Sequence, residues 1–336
     1  MSFEQLQQTL FQHIKTLLPT HVSMVDEVAE LLNISNDSAY RRIRGEKPIT
    51  LDEVHMLAAH FKISIDQLLH LKSEAFLFSG KLTNHSDFKY EDWLQSVVEY
   101  LHFFLSFQPN HIFYLAKEIP LFYYFLVPEI AAFKSFFFMR SILYYEDWKN
   151  TKFSVNDDYS RYHEAFQKSS HLFAAIPSTE IWNIENITST LHQIEFYRVT
   201  GAFKSDGDAI KLLDKFYLLI DHLEKQAEYG VKLRYGQDPA TSSIKYRMFI
   251  NEFLMGDNLL LIQLGTQYMT SLNHGVMNFV TTTDERFNNF TKRMLDNLAQ
   301  KSILISEVNE KERLMFFNRL RAKVAYAKQL ITADIH

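Results

Sequence analysis

The sequence predicts a mainly α-helical protein in which a small N-terminal domain of five helices precedes a larger helical body that contains a short antiparallel β-meander. Three observations predict this architecture. Residues 1–72 carry closely spaced helix start and stop signals, and residues 87–230 repeat apolar and aromatic side chains at helical spacing. Residues 244–283 hold short β-rich runs separated by turn residues. We expect residues 73–86 to be a linker and residues 87–336 to form the second domain.

Each N-terminal helix has its own boundary signals. The first has leucine and isoleucine at helical spacing over residues 4–18 and ends before Pro19. Each of the next four helices begins at a serine or threonine, whose hydroxyl can accept a hydrogen bond from a free backbone N–H group of the first turn. These predicted caps are Ser23, Ser35, Thr50 and Ser64. The agreement of several local signals predicts a compact five-helix domain that closes near Leu69.

Composition limits the function classes. The chain has 336 residues, of which 47% are hydrophobic, so a sizeable core is expected. It has no cysteine, which excludes disulfides, thiol catalysis and cysteine-bound zinc and fits a reducing cytoplasm. The formal net charge is −5, and residues 1–72 hold seven basic against nine acidic residues. Any contact with nucleic acid must therefore come from a local basic cluster.

No membrane span is expected, although residues 119–145 are strongly apolar. Glu129, Lys134 and Arg140 interrupt this stretch, whereas a spanning helix needs about 20 consecutive apolar residues. The first residues also lack a basic segment that leads into an apolar run, as a secretory signal would require. We expect a cytoplasmic protein.

Residues 23–45, SMVDEVAELLNISNDSAYRRIRG, resemble the helix-turn-helix of the Cro/repressor-like (XRE-type) transcription regulators of bacteria and phages. Residues 46–70, EKPITLDEVHMLAAHFKISIDQLLH, resemble the two helices that follow it in that family. Ala29 matches the small residue where the two motif helices cross, and Ile34 and Ser35 match the entry to the second helix. The resemblance covers about the first fifth of the chain.

The chain departs from the family pattern at several positions. Asn33 stands at the turn in place of the usual glycine, and Val25 replaces a glutamine that often contacts phosphate. Arg42 takes the usual apolar place on the second motif helix, and the buried position is displaced to Ile43. Because Ala39 and Ile43 are four residues apart, one apolar face remains.

The resemblance implies that residues 36–44 form a recognition helix that enters the major groove, where base edges present distinct donors and acceptors. The resemblance places base contacts near the helix start. Arg41 could pair with guanine and Asn36 with adenine. The predicted base-reading residues are Asn36, Ser38, Tyr40 and Arg41. The residues expected to bind phosphate are Arg42, Arg44 and Lys47.

These features predict a sequence-specific regulator that binds double-stranded DNA as a homodimer, since a symmetric dimer places two recognition helices on two half-sites. The alternative is a protein-interaction module or scaffold, in which the N-terminal helical domain docks a protein partner and the arginines form a solvated face.

Aromatic residues crowd the region 121–148, which we interpret as hydrophobic core or, alternatively, as the lining of a pocket for an unknown small-molecule or peptide effector. The candidate pocket residues are Phe122, Tyr123, Tyr124, Phe133 and Phe137. The chain has no phosphate-binding glycine-rich loop, no G-x-S-x-G sequence and no histidine pair at metal-ligand spacing. We therefore expect neither an enzyme nor a bound metal or cofactor.

Overall fold

The computed structural model divides the chain into two compact units, Met1–Leu77 and Phe78–His336. The residues that the structure describes are 3–18, 22–61, 63, 65, 75–80, 88–253 and 256–334. The predicted fifth N-terminal helix, which starts at Ser64, lies almost entirely outside the described residues.

Four helices are described in the first unit. They are α1 (Phe3–Leu17), α2 (Met24–Leu31), α3 (Asn36–Ile43) and α4 (Leu51–Phe61). The predicted caps of α2 to α4 are confirmed: Ser23 Oγ accepts from the backbone N–H of Asp26 at 3.4 Å, and Ser35 Oγ accepts from that of Ser38 at 3.3 Å. Thr50 and Glu53 accept from each other's backbone N–H groups, at 3.2 and 2.9 Å.

The four helices of the first unit share one small hydrophobic core. Its members come from every helix, and each is at most 8% exposed. They are Leu10, Phe11, Ile14, Val28, Ala29, Leu32, Ala39 and Leu57. Ala39 and Leu57 are completely buried, so α3 and α4 are fixed to this core by side chains at their centres.

The second unit is built on one mixed sheet. Its strands are β1 (Ser79–Gly80), β2 (Asn110–Leu115), β3 (Ser178–Trp182), β4 (Tyr246–Ile250), β5 (Leu259–Leu264), β6 (Gln267–His274), β7 (Asn278–Thr282) and β8 (Ile303–Leu304). Their order in the sheet is β1-β7-β6-β5-β2-β3-β4-β8. Strands β2, β3 and β4 are parallel to one another, and the neighbouring strands pair antiparallel.

Helices make up most of the remaining described chain. They are α5 (Tyr90–Leu105), α6 (Leu121–Tyr124), α7 (Pro128–Phe137), α8 (Ser160–Ala174), α9 (Thr188–Val199), α10 (Asp206–Tyr229), α11 (Glu285–Gln300) and α12 (Glu310–Asp334). A π-helical turn, Phe138–Ile142, follows α7, and short 3₁₀ turns lie at Glu146–Trp148, Ile184–Ile187 and Pro239–Thr241. No described helix has the length and apolar character needed to cross a bilayer.

The sheet is larger than the predicted small meander at 244–283, which corrects that part of the fold prediction. Only β5 to β7 form an antiparallel meander, whereas β4 pairs in parallel with β3. Strands β2 and β3 lie within the region predicted to be helical. Both are largely buried along their length, so their sequences lack the alternation of polar and apolar residues that would indicate a strand.

The sheet is covered on both faces. Ile112 and Tyr114 of β2 belong to the largest hydrophobic cluster, together with residues of α7, α10 and α12. Leu115, the next residue, belongs to a second cluster with Leu295 and Leu298 of α11. Because successive strand residues point to opposite faces, these clusters occupy the two sides of the sheet.

The segment predicted as a linker contributes an edge strand. Ser79 pairs with Thr281 of β7, and Gly80 pairs with Val280. A Cβ atom on Gly80 would lie 2.8 Å from the carbonyl oxygen of Phe279, so the close approach of the two strands requires glycine there.

A buried ion pair lies at the centre of the second unit. Lys232 Nζ is 3.1 Å from Glu180 Oε1 on β3, and both side chains are completely inaccessible. Tyr123 and Ser178 donate hydroxyl hydrogen bonds to Oε1 at 2.8 and 2.9 Å, while Trp182 donates its indole N–H to Oε2 at 2.9 Å. Burial lowers the pKa of Lys232 to about 8, opposed by the attraction of Glu180.

Candidate nucleic-acid interface

The turn between α2 and α3 is closed by backbone geometry. Asn33 has a φ of 51°, a left-handed conformation that asparagine tolerates better than most residues. The backbone N–H of Ile34 donates to the carbonyl of Ala29 at 2.9 Å. Asn33 therefore performs the role that the sequence predicts for it, and α3 begins after a tight turn at the end of α2.

One buried side chain of α1 fixes the exit of α3. Gln7 is 3% exposed, and its amide nitrogen donates to the carbonyl oxygens of Arg42 and Lys47 at 2.7 and 2.8 Å. Its amide oxygen accepts from the backbone N–H of Ile49 at 3.2 Å. The sequence analysis missed this residue, although Gln7 shares a helix face with the buried Phe11 and Ile14.

Arg42, expected to bind phosphate, is instead buried with 6% exposure. Its guanidinium holds Glu53 of α4 through two hydrogen bonds of 2.7 and 3.1 Å, and it donates to Ser38 Oγ at 2.8 Å. The pairing lowers the pKa of Glu53, mainly through the hydrogen bond from Arg42. The position lies three residues after the buried Ala39, so its side chain points to the core side and cannot reach DNA.

We predict that Arg42→Ala lowers the free energy of local opening of α3 by about 2 kcal/mol, because it leaves the mostly buried Glu53 carboxylate without its cation. The measurement is hydrogen exchange of peptides covering residues 36–43 in the full chain. The local opening equilibrium should rise by roughly 30-fold.

A matched control separates this effect from a general loss of packing. The double variant Arg42→Met with Glu53→Leu removes both charges and should exchange more slowly than Arg42→Ala alone. If Arg42→Ala leaves exchange in residues 36–43 unchanged, the ion pair does not hold α3.

The outward face of α3 carries the exposed side chains. Tyr40 is 48% exposed, and the guanidinium of Arg44 lies 5.5 Å from its ring centre. Arg44 Nε is also 3.2 Å from Glu46 Oε1, in a solvent-exposed pair of little energetic weight. Arg41 and Lys47 are exposed, and neither forms an ion pair with another described residue. Tyr40, Arg41 and Arg44 thus form a polar, basic surface on one side of the helix.

The other two predicted base-reading residues form hydrogen bonds within the domain. Asn36 is exposed, but its amide nitrogen donates to Asp26 Oδ1 at 2.8 Å. Ser38 is partly buried and accepts from Arg42. The surroundings are acidic as well, since Asp26 and Asp37 lie in the first turns of α2 and α3. The basic surface is therefore narrow.

The aromatic residues proposed as an effector pocket pack mainly into the core of the second unit. Tyr123, Tyr124 and Phe133 are at most 2% exposed, and Phe122 and Phe137 pack against the same cluster. Tyr124 also borders a cavity. Of the five candidate residues, Tyr124 alone lines this cavity, and the packing of the other four favours the core interpretation.

Comparison with known proteins finds a family match near the N-terminus. No curated protein and no solved structure matches the chain. Residues 14–84, about a fifth of the chain, match the BetR domain family, and this range includes all of α2, α3 and α4. Residues 14–84 of this chain are thus similar to the BetR domain, a small helical DNA-binding-like domain that is associated with transcription regulation.

Proposed function

We propose that this protein is a sequence-specific, DNA-binding transcription regulator of the Cro/repressor-like type that reads DNA with α3. The observation that carries the proposal is the orientation of α3 within the BetR-like domain. Its Ala39 side is buried, while Tyr40, Arg41 and Arg44 are free to enter a major groove.

The exposed residues differ in their proposed roles. Arg41 reads a guanine, because its guanidinium can donate two parallel hydrogen bonds to the O6 and N7 atoms of that base. Tyr40 contacts a neighbouring base. Arg44 and Lys47, at and beyond the helix end, bind phosphates and set the register without reading sequence. Asn36 can contribute only if it leaves Asp26.

A homodimer follows from the small number of cations. Two phosphate-binding side chains in each copy give weak binding, and a symmetric dimer doubles the contacts and adds a second half-site. In this proposal the unit of residues 78–336 provides dimerisation or effector sensing, and the protein acts in the cytoplasm without catalysing a reaction.

The acidic side chains beside α3 favour a second candidate, a module that docks a protein partner. A DNA polyanion would be repelled by Asp26 and Asp37, whereas a basic protein surface would be attracted. The two candidates differ in what they predict for DNA.

The test selects genomic duplex fragments with the full-length chain and titrates the enriched fragment against a shuffled one. With about four phosphate contacts in a dimer, specific affinity should fall roughly 100-fold between about 50 and 200 mM salt. Equal affinity for enriched and shuffled fragments at every salt concentration would contradict the regulator proposal and favour the docking module.

A further inference from the structure

The second unit contains a cavity of about 390 Å³ beside the carboxyl end of β2. We name it the Lys134 cavity. It lies among α5, the chain after β2, α7 and the β6–β7 hairpin. Its lining includes Trp93, Glu118, Leu121, Tyr124, Lys134 and Phe138. The carboxyl ends of parallel strands are where open α/β sheets commonly bind ligands.

Hydrogen bonds hold the walls of this cavity in place. The indole N–H of Trp93 donates to the carbonyl of Met277 at 3.0 Å and so ties α5 to the β6–β7 hairpin. Asn258 Oδ1 accepts from the backbone N–H groups of Lys117 and Glu118 at 2.8 and 3.4 Å, which fixes the chain after β2. The cavity is therefore part of the folded structure, as pre-formed ligand sites are.

Lys134 supplies a buried cation to the cavity. The residue is 2% exposed, and its ammonium donates to Thr190 Oγ1 and Gln193 Oε1 at 3.1 and 3.0 Å. The ammonium also lies 4.6 Å from the ring centre of Tyr124, within the range of a cation–π contact. A lysine ammonium has three donors, so one N–H remains for an acceptor in the cavity.

Glu118 places an opposite charge beside this ammonium. Its Oε2 atom lies 3.9 Å from Lys134 Nζ, too far for a hydrogen bond but close enough for attraction. Burial lowers the pKa of Lys134 to about 8, and Glu118 opposes that shift, so the ammonium is mostly charged at neutral pH. Lys134 and Glu118 thus place a cation and an anion side by side at the cavity, whereas Lys117 and Asp257, which also line it, pair with each other at 2.7 Å.

We propose that the Lys134 cavity binds a small α-amino acid with an apolar side chain. The carboxylate of the ligand accepts from Lys134, and its ammonium donates to Glu118. A ligand with only a carboxylate would be repelled by Glu118, and one with only an amine would be repelled by Lys134. The apolar side chain lies against Trp93, Leu121 and Phe138, and the volume is within the usual range of small-molecule sites.

Regulation by this ligand rests on the proposed function, whereas ligand binding itself does not. Calorimetry on the full chain without DNA therefore tests the site alone. The probes are two matched sets that share an apolar group. They are L-phenylalanine, 3-phenylpropionate and 2-phenylethylamine, and L-leucine, 4-methylpentanoate and 3-methylbutylamine.

We expect the amino acid of at least one set to bind at least about 10-fold more tightly than its carboxylate-only and amine-only partners. Lys134→Met should weaken the binding of that amino acid by at least about 10-fold, and so should Glu118→Gln, which changes a less buried side chain. Lys168→Met is the matched control, because Lys168 is an exposed lysine of α8 that pairs with Glu164 on the same helix. It should leave the affinity unchanged.

A pH series identifies Lys134 as the group that holds the carboxylate. A bound carboxylate favours the charged lysine and raises its pKa above the free value of about 8. Binding should therefore take up protons near that pH, and affinity should fall as the pH rises through it. Lys134→Met should lose this proton uptake.

Three results would each overturn the site: no saturable binding by either amino acid, equal affinity within both sets, or parent-like affinity in Lys134→Met and Glu118→Gln. If the chain binds the amino acid but not DNA, the site stands and the regulator proposal fails. If the chain binds DNA but no probe, the regulator proposal stands and the ligand site fails. Where both bind, a shift of DNA affinity with the amino acid identifies it as the effector.

Discussion

Replacing Lys232 with methionine should destabilise the second unit by about 3–5 kcal/mol at neutral pH. Glu180 would remain completely buried, and its carboxylate would lose the cation 3.1 Å away. The hydrogen bonds from Tyr123, Ser178 and Trp182 cannot replace that positive charge. Unfolding would relieve this buried, uncompensated charge, which is why the substitution destabilises the second unit.

Tryptophan fluorescence reports on unfolding of the second unit, because Trp93, Trp148 and Trp182 all belong to that unit. Urea unfolding of the full chain gives the free energy of unfolding of that unit.

The exposed Lys168 again offers a matched control, since Lys168→Met removes the same charge from a surface pair and should cost less than about 1 kcal/mol. A Lys232→Met protein that unfolds within about 1 kcal/mol of the parent at neutral pH would show that Glu180 is not held as an anion by Lys232.

Replacing both Arg41 and Arg44 with alanine should abolish specific DNA binding, with a loss of at least about 100-fold for the enriched fragment. The loss combines a guanine contact and a phosphate contact, and a dimer loses each of them twice. Neither side chain is buried, so the fold should be preserved. This distinguishes the double variant from Arg42→Ala, which acts through the packing of α3.

The two single variants separate the proposed roles. Arg41→Ala should relax the base preference at one position of each half-site. Arg44→Ala should lower the affinity for all DNA sequences alike and reduce the dependence of that affinity on salt concentration. Arg293→Ala on α11 removes an exposed arginine from the other unit and serves as the control. Parent-like affinity of the double variant would show that α3 does not read the DNA.

Much of the first unit could be predicted from the sequence because its signals are local. Ser23, Ser35 and Thr50 begin helices in which each cap bonds to a residue three positions later. The burial of Arg42 and its ion pair with Glu53 could not be predicted from local signals. Arg42 stands next to Arg41, but neighbours on a helix point in different directions, and its partner Glu53 is eleven residues away.

The second unit was less predictable because its determinants are distant in sequence. Strand β3 is buried throughout, and its pairing with β2 and β4 depends on residues about 65 positions away on either side. The residues that line the Lys134 cavity are also distant from one another in the sequence. Glu118, Lys134 and Asn258 meet there only after folding, and no spacing in the sequence indicates it.

Gln7 has a consequence for how the domain is delimited. The recognisable family segment begins at residue 14, so a fragment excised at that boundary would lack the amide that clamps the end of α3. It would also lose Leu10 and Phe11, which are 3% and 1% exposed. The matched family segment therefore leaves out side chains that hold the end of α3 in place, and these contacts require the chain from α1 onward.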